Sequence, residues 1–124
     1  MKIIIFTENN RAGGMDTFIT SLINNWPIKE DSFTVICNQS HPGIPYMANL
    51  LPDEAKLITH KIPLNWSLGS KFLNKLPIFI QRIFRQLFRI LLSPLQYFLI
   101  KKLFINQNGD YLFSVNGGYP GGET

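Results

Sequence analysis

Three stretches of this chain gather small, hydrogen-bonding residues where a ligand could be held: ENNRAGG from residue 8, NQSHPG from residue 38 and NGGYPGG from residue 116. In the first, Gly13-Gly14 stands just before a run with helical periodicity. Glycine lets backbone N–H groups approach a ligand and a helix N-terminus favours negative charge, so a phosphate or carboxylate is the natural guest. The same pair also serves as a tight strand-to-helix turn with no ligand at all. Glu8 and Asp16 flank the turn and are the side chains best placed for acid–base work, although Asp16 would also stabilise the first turn of a helix simply by its charge. Cys37 sits inside an apolar strand, where a thiol is ordinarily buried and inert. His41 and His60 are far apart in the chain and read as surface or strand residues rather than ligands.

The standard cofactor patterns are missing. A dinucleotide site asks for GxGxxG and an acid at the end of the second strand, where this chain has RAGGMD and Asn38. There is no GxxxxGK[ST], HExxH, CxxC or Asp-x-Asp. NAD is therefore disfavoured, no metal site is expected, and no residue is assigned a catalytic role.

The elements that would position these loops follow from periodicity. KIIIFT, Lys2 to Thr7, is a continuous apolar, β-branched run of the kind buried on both faces of a parallel sheet. MDTFITSLINNW places Phe18, Ile19, Leu22, Ile23 and Trp26 at helical spacing, and Pro27 ends it. SFTVICN predicts a second strand, HPGIPYMANLLP an irregular or briefly helical connector, AKLITHKIP a third strand and YLFSV a fourth. Residues 77 to 92 predict an amphipathic helix, and Pro94 suits the first turn of another helix reaching to about residue 105. Strands alternating with helices predict an α/β domain with a mainly parallel sheet flanked by helices. The strand count is small for a doubly wound domain, and no helix follows the last strand to cover it, so the domain reads as incomplete.

Composition agrees with a folded chain. At 124 residues it can bury roughly two-thirds of its unfolded surface in one core, and 45% hydrophobic against 16% charged residues excludes default disorder. A single cysteine and the short apolar start before TENNR point to a reducing cytoplasm.

The net charge of +4 is unevenly placed. Lys71, Lys75, Arg82, Arg85, Arg89, Lys101 and Lys102 fall between residues 70 and 104 with no acid among them, which leaves −3 for the rest. Along the helix, Ile80, Ile83, Phe84, Leu87, Phe88 and Leu91 make one stripe, and Arg82, Arg85 and Arg89 lie opposite. Such a segment, residues 78 to 104, suits an anionic membrane surface through Arg82, Arg85, Arg89, Lys101 and Lys102, without crossing it. The same stripe also suits packing on a sheet. Nucleic acid is disfavoured, because Phe84 and Phe88 belong to the apolar stripe and do not interleave with the basic face.

MKIIIFTENNRAGGMDTFITSLINNWP, followed much later by DYLFSVNGGYPGGET, resembles the first half of a GT-B-fold, family-4-type glycosyltransferase of bacterial polysaccharide biosynthesis. The resemblance implies an incomplete Rossmann-like domain over residues 1–124 that binds the acceptor, a glycan or lipid-linked sugar. Asn10, Gly13 and Gly14 would line the site from the first loop, and Asn116, Gly117, Gly118 and Tyr119 from the last. The nucleotide-sugar donor belongs to a second domain carrying a Glu-x7-Glu pattern, which these residues do not contain; no other cofactor is implied. The family's histidine near the last loop is matched here by Asn116. The chain alone is therefore expected to be inactive, in the cytoplasm or on the inner face of the membrane. The alternative is a small non-enzymatic membrane-surface or adaptor protein.

Overall fold

The computed structural model describes residues 1–8, 12–62 and 75–115, with the side chain of Arg89 excepted. Its described elements run β1 (Lys2–Thr7), α1 (Gly14–Asn24), β2 (Ser32–Asn38), α2 (Ile44–Leu50), β3 (Lys56–His60), α3 (Ile78–Ile105) and β4 (Tyr111–Val115). Met1–Lys61 together with the chain from Gln107 forms one compact unit, and Ile62–Asn106 forms another.

In the first unit the four strands make one parallel sheet in the order β3-β2-β1-β4. This is the α/β class read from the sequence, and the order is the opening part of the Rossmann arrangement 3-2-1-4-5-6. Between its two parallel neighbours, β1 buries Ile3, Ile4, Ile5 and Phe6, as a strand covered on both faces must. Ile3 pairs with Phe33 and Tyr111, and the register runs on until Thr7 meets Cys37 and Val115. One face of the sheet presents Ile3, Ile5, Phe33, Val35, Cys37 and Val115 to Ile19 and Ile23 of α1 and to Met47 of α2.

The helix α1 buries a narrower stripe than its sequence suggests. Ile19 and Ile23 are enclosed and Met15, Leu22 and Trp26 pack at their edge, whereas Phe18 is 47% exposed. At 100° per residue Phe18 falls on the margin of the face centred on Ile19. The helix also stops at Asn24, two residues before Trp26. Beyond the helix, the Trp26 indole donates to Asp31 Oδ2 at 2.8 Å and meets the Phe33 ring edge-on at 5.4 Å. Asp31 also accepts from the Met1 ammonium at 2.7 Å. These two bonds, the ammonium's first, hold the Asp31 carboxyl below its usual pKa.

The connector after β2 is helical over Ile44–Leu50, with Pro45 in its first turn, a position where the missing N–H is no loss. Asn24 Nδ2 donates to the Leu50 carbonyl at 2.9 Å and ties α2 to α1. The edge strand β4 leaves Tyr111, Leu112 and Phe113 exposed. A left-handed Asn108 (φ 48°) turns the chain into it, and Gly109 lies so close over Ile4 that a Cβ there would overlap the Ile4 side chain.

The second unit holds α3, and here the two helices expected around Pro94 are one. Its 28 residues continue through Pro94, a length of about 42 Å at 1.5 Å per residue. Proline has no N–H to give the Ile90 carbonyl, so the ladder loses one bond there; long apolar and straight-chain residues on either side carry the helix across. At its start, Gln81 Nε2 donates back to the Leu76 carbonyl at 2.7 Å.

Candidate functional site

In an open α/β sheet ligands bind beyond the carboxyl ends of the strands, where the strand order reverses. Here the chain moves outward from β1 to β2 and β3 on one side and to β4 on the other. The reversal lies between β1 and β4, and the Gly13-Gly14 turn leaves β1 at that end of the sheet.

The turn is built around Asp16. Gly13 N–H donates to Asp16 Oδ2 at 3.0 Å, and the Gly13 carbonyl accepts from the N–H groups of Asp16 (3.0 Å) and Thr17 (3.3 Å). The first two helical N–H groups, Gly14 and Met15, have no acceptor within the helix itself. Neither glycine is demanded by its surroundings. Gly13 is extended (φ 170°), a conformation open to any residue, and a Cβ on Gly13 or Gly14 would meet nothing within 4 Å. Both are exposed, so bare backbone faces open space at the mouth of the sheet.

Behind the turn stand two carboxylate–imidazole pairs. Asp16 Oδ1 lies 2.8 Å from His41 Nε2, with both side chains 1% exposed. Glu8 Oε1 pairs with His60 Nε2, and both are equally enclosed. The local reasons are visible. After β2, Asn38 Oδ1 accepts from Ser40 N–H (3.0 Å) and Ser40 Oγ (2.7 Å), an Asx-type turn. His41 N–H then donates to the Asn38 carbonyl at 2.9 Å, which aims the imidazole back at α1. Asn38 and His60 are register partners, and Glu8 follows Thr7, the partner of Cys37. Glu8, Asn38 and His60 thus cross the carboxyl edge of the sheet as one polar row. His60 stacks on Phe6 at 5.9 Å, on the face opposite α1.

These pairs correct the sequence reading of His41 as a surface residue and add a buried partner to His60, which is the strand residue it was read as. Both are buried and bound to carboxylates. Glu8 and Asp16 do flank the turn, yet both are enclosed, so their chemistry in this state is to hold structure. Asp16 fixes Gly13, and Glu8 joins the end of β1 to the end of β3. No group of three or more His, Cys, Asp or Glu among the described residues could hold a metal ion. Of the residues read as site-lining, Gly13 and Gly14 lie at the carboxyl end of the sheet, whereas Asn10, Asn116, Gly117, Gly118 and Tyr119 lie outside the described residues. Arg82, Arg85, Lys101 and Lys102 are exposed on α3, with the Lys101 ammonium 5.9 Å from the centre of the Tyr97 ring; the Arg89 side chain is outside the described set.

Gly43, by contrast with the turn glycines, is demanded by packing. A Cβ there would stand 2.5 Å from His41 Nε2 and nearer still to Asp16 Oδ2. Gly43→Ala is expected to push the buried pair apart and destabilise the sheet unit by about 1–3 kcal/mol, as overpacking does. His41→Ala removes one of the two crowding groups and frees the Asp16 carboxyl to move aside, so adding Gly43→Ala to it should cost less than in the parent. Urea denaturation of the four variants checks this, and equal costs in the two backgrounds would refute the contact.

Comparison with known protein families, with characterised proteins and with solved structures finds no match to the chain.

Proposed function

We propose that this chain is the acceptor-side part of a GT-B-type glycosyltransferase, which takes a glycan or lipid-linked sugar acceptor at the Gly13-Gly14 turn. The observation that supports this reading is the bareness of that turn. Neither backbone conformation nor packing calls for glycine at positions 13 and 14, so what glycine adds there is backbone that a ligand can approach. The turn opens at the carboxyl end of a Rossmann-like sheet, beside the reversal of strand order. The resemblance assigns the nucleotide-sugar donor to a second domain, and the described residues form a single four-stranded sheet. Transfer needs both substrates held together, so this sheet supplies the acceptor side of the reaction and not the donor side. Such an acceptor is met in the cytoplasm, on the inner face of a membrane.

The experiment is a backbone amide NMR titration with a short-chain prenyl pyrophosphate-linked N-acetylglucosamine. Shifts at Gly13, Gly14 and Met15 that saturate are the expected result, with no comparable response to a nucleotide sugar. Unmoved glycine amides would sink the reading. A second reading, a non-enzymatic membrane-surface or adaptor protein, draws on a different feature: the apolar residues left exposed along α3.

A further inference from the structure

We propose that α3 is a surface-lying membrane helix that binds anionic lipid, whether or not the chain belongs to a sugar-transferring enzyme. No helix among the described residues is long and apolar enough to cross a membrane, so any lipid contact by α3 is parallel to the bilayer. Its stripe of Ile80, Ile83, Phe84, Leu87, Phe88 and Leu91 is exposed along its whole length, from 37% at Ile80 to 72% at Leu91. Phe84 and Phe88 lie 6.4 Å apart on it, forming a continuous apolar surface. Leu95 and Phe98 prolong the stripe by further turns at the same helical spacing, and both are exposed. Arg82 and Arg85 stand on the opposite side, with Gln86 beside them.

Charge selects the occupant. Between residues 55 and 109 there is no acid of any kind, whereas the exposed face of a helix made only for water mixes both signs. A protein partner for the stripe would need apolar surface alone; the unbroken positive sign is complementary to a surface that is both apolar and anionic, which is an acidic phospholipid bilayer. The stripe enters the acyl boundary, and the arginines reach around the helix to the phosphates by their long stems. At the far end Lys101 and Lys102 close the stripe with two ammonium groups at headgroup level.

The test is co-sedimentation of the full chain with phosphatidylcholine vesicles and with vesicles in which part of the lipid is phosphatidylglycerol. Binding is expected only with the anionic lipid and should fade at high salt. Arg82→Gln with Arg85→Gln should weaken it on the order of tenfold, and Leu87→Gln with Phe88→Gln should weaken it as well, each with helix content by circular dichroism unchanged. Equal binding to neutral vesicles, no binding to either, or variants that bind like the parent would overturn the inference. So would an RNA oligonucleotide that binds as tightly as the anionic vesicles and displaces them. Because the acceptor reading is followed at the glycine amides of the sheet unit, either proposal can fail while the other stands.

Discussion

His60→Ala is expected to cost about 3–5 kcal/mol of folding stability, the combined loss of a hydrogen bond to a buried carboxyl group and of the packing of a buried ring. Glu8 is 1% exposed and its Oε1 is bound to the His60 imidazole. The substitution also removes the ring stacked on Phe6 and opens a cavity at the carboxyl end of β3. Against a typical total of about 5–15 kcal/mol for a domain, that loss is large. Replacing both partners, Glu8→Leu with His60→Leu, should recover part of it, since a well-packed apolar pair can stand in for a buried hydrogen-bonded one. Urea melts of the two variants test the claim. A loss below about 1 kcal/mol for His60→Ala would mean that the pair contributes little.

The sheet was legible where one strand carried its own signal. The run Ile3, Ile4, Ile5 and Phe6 reads as buried on both faces, and β1, like β2, has a parallel neighbour on each side. The helix α1 was legible in kind and less so in detail: its stripe is wide enough to include Phe18 by spacing, and only the facing strands decide that Phe18 stays out. Pro94 misled for a definite reason. The rule that favours proline in a first turn does not exclude it from the middle of a long helix, and only the flanking turns show which case holds.

The paired carboxylates and histidines were out of reach of motif reading. His60 is 52 residues from Glu8 and His41 is 25 from Asp16, and nothing local in the chain states that β2 and β3 lie on the same side of β1. One signal was available. The first three strands run out into polar residues, Thr7-Glu8, Asn38 and Thr59-His60, after apolar runs, and a parallel register makes such residues neighbours. The Gly13-Gly14 turn was found by pattern, but the choice between a plain turn and a bare one needed coordinates, because only the space around a missing Cβ distinguishes them.

Cys37 is expected to react with a disulfide reagent at least a thousandfold more slowly in the folded chain than an ordinary exposed thiol does. It is fully buried in β2, facing the core with Val35. Burial first, and then the nearby carboxylates of Glu8 and Asp16, push the thiol from 9.0 up to about 12. The thiolate is the reactive species, so this displacement alone lowers its population near neutral pH by roughly a factor of a thousand. Reaction through opening is slow as well, because reagent otherwise reaches the sulfur only when β2 parts from its neighbours, and the thiol then reacts as an ordinary one. The rate in the folded protein therefore reports how often the sheet opens. This links the reaction to the polar row at the carboxyl edge. If the loss of His60 costs about 3–5 kcal/mol, opening becomes roughly a hundred to a few thousand times more frequent, and Cys37 in His60→Ala should be modified faster by that factor. In denaturant one thiol per chain should react at the rate of a free cysteine. Fast, stoichiometric modification of the folded parent chain, with its circular dichroism intact, would show that Cys37 is reached without opening the sheet.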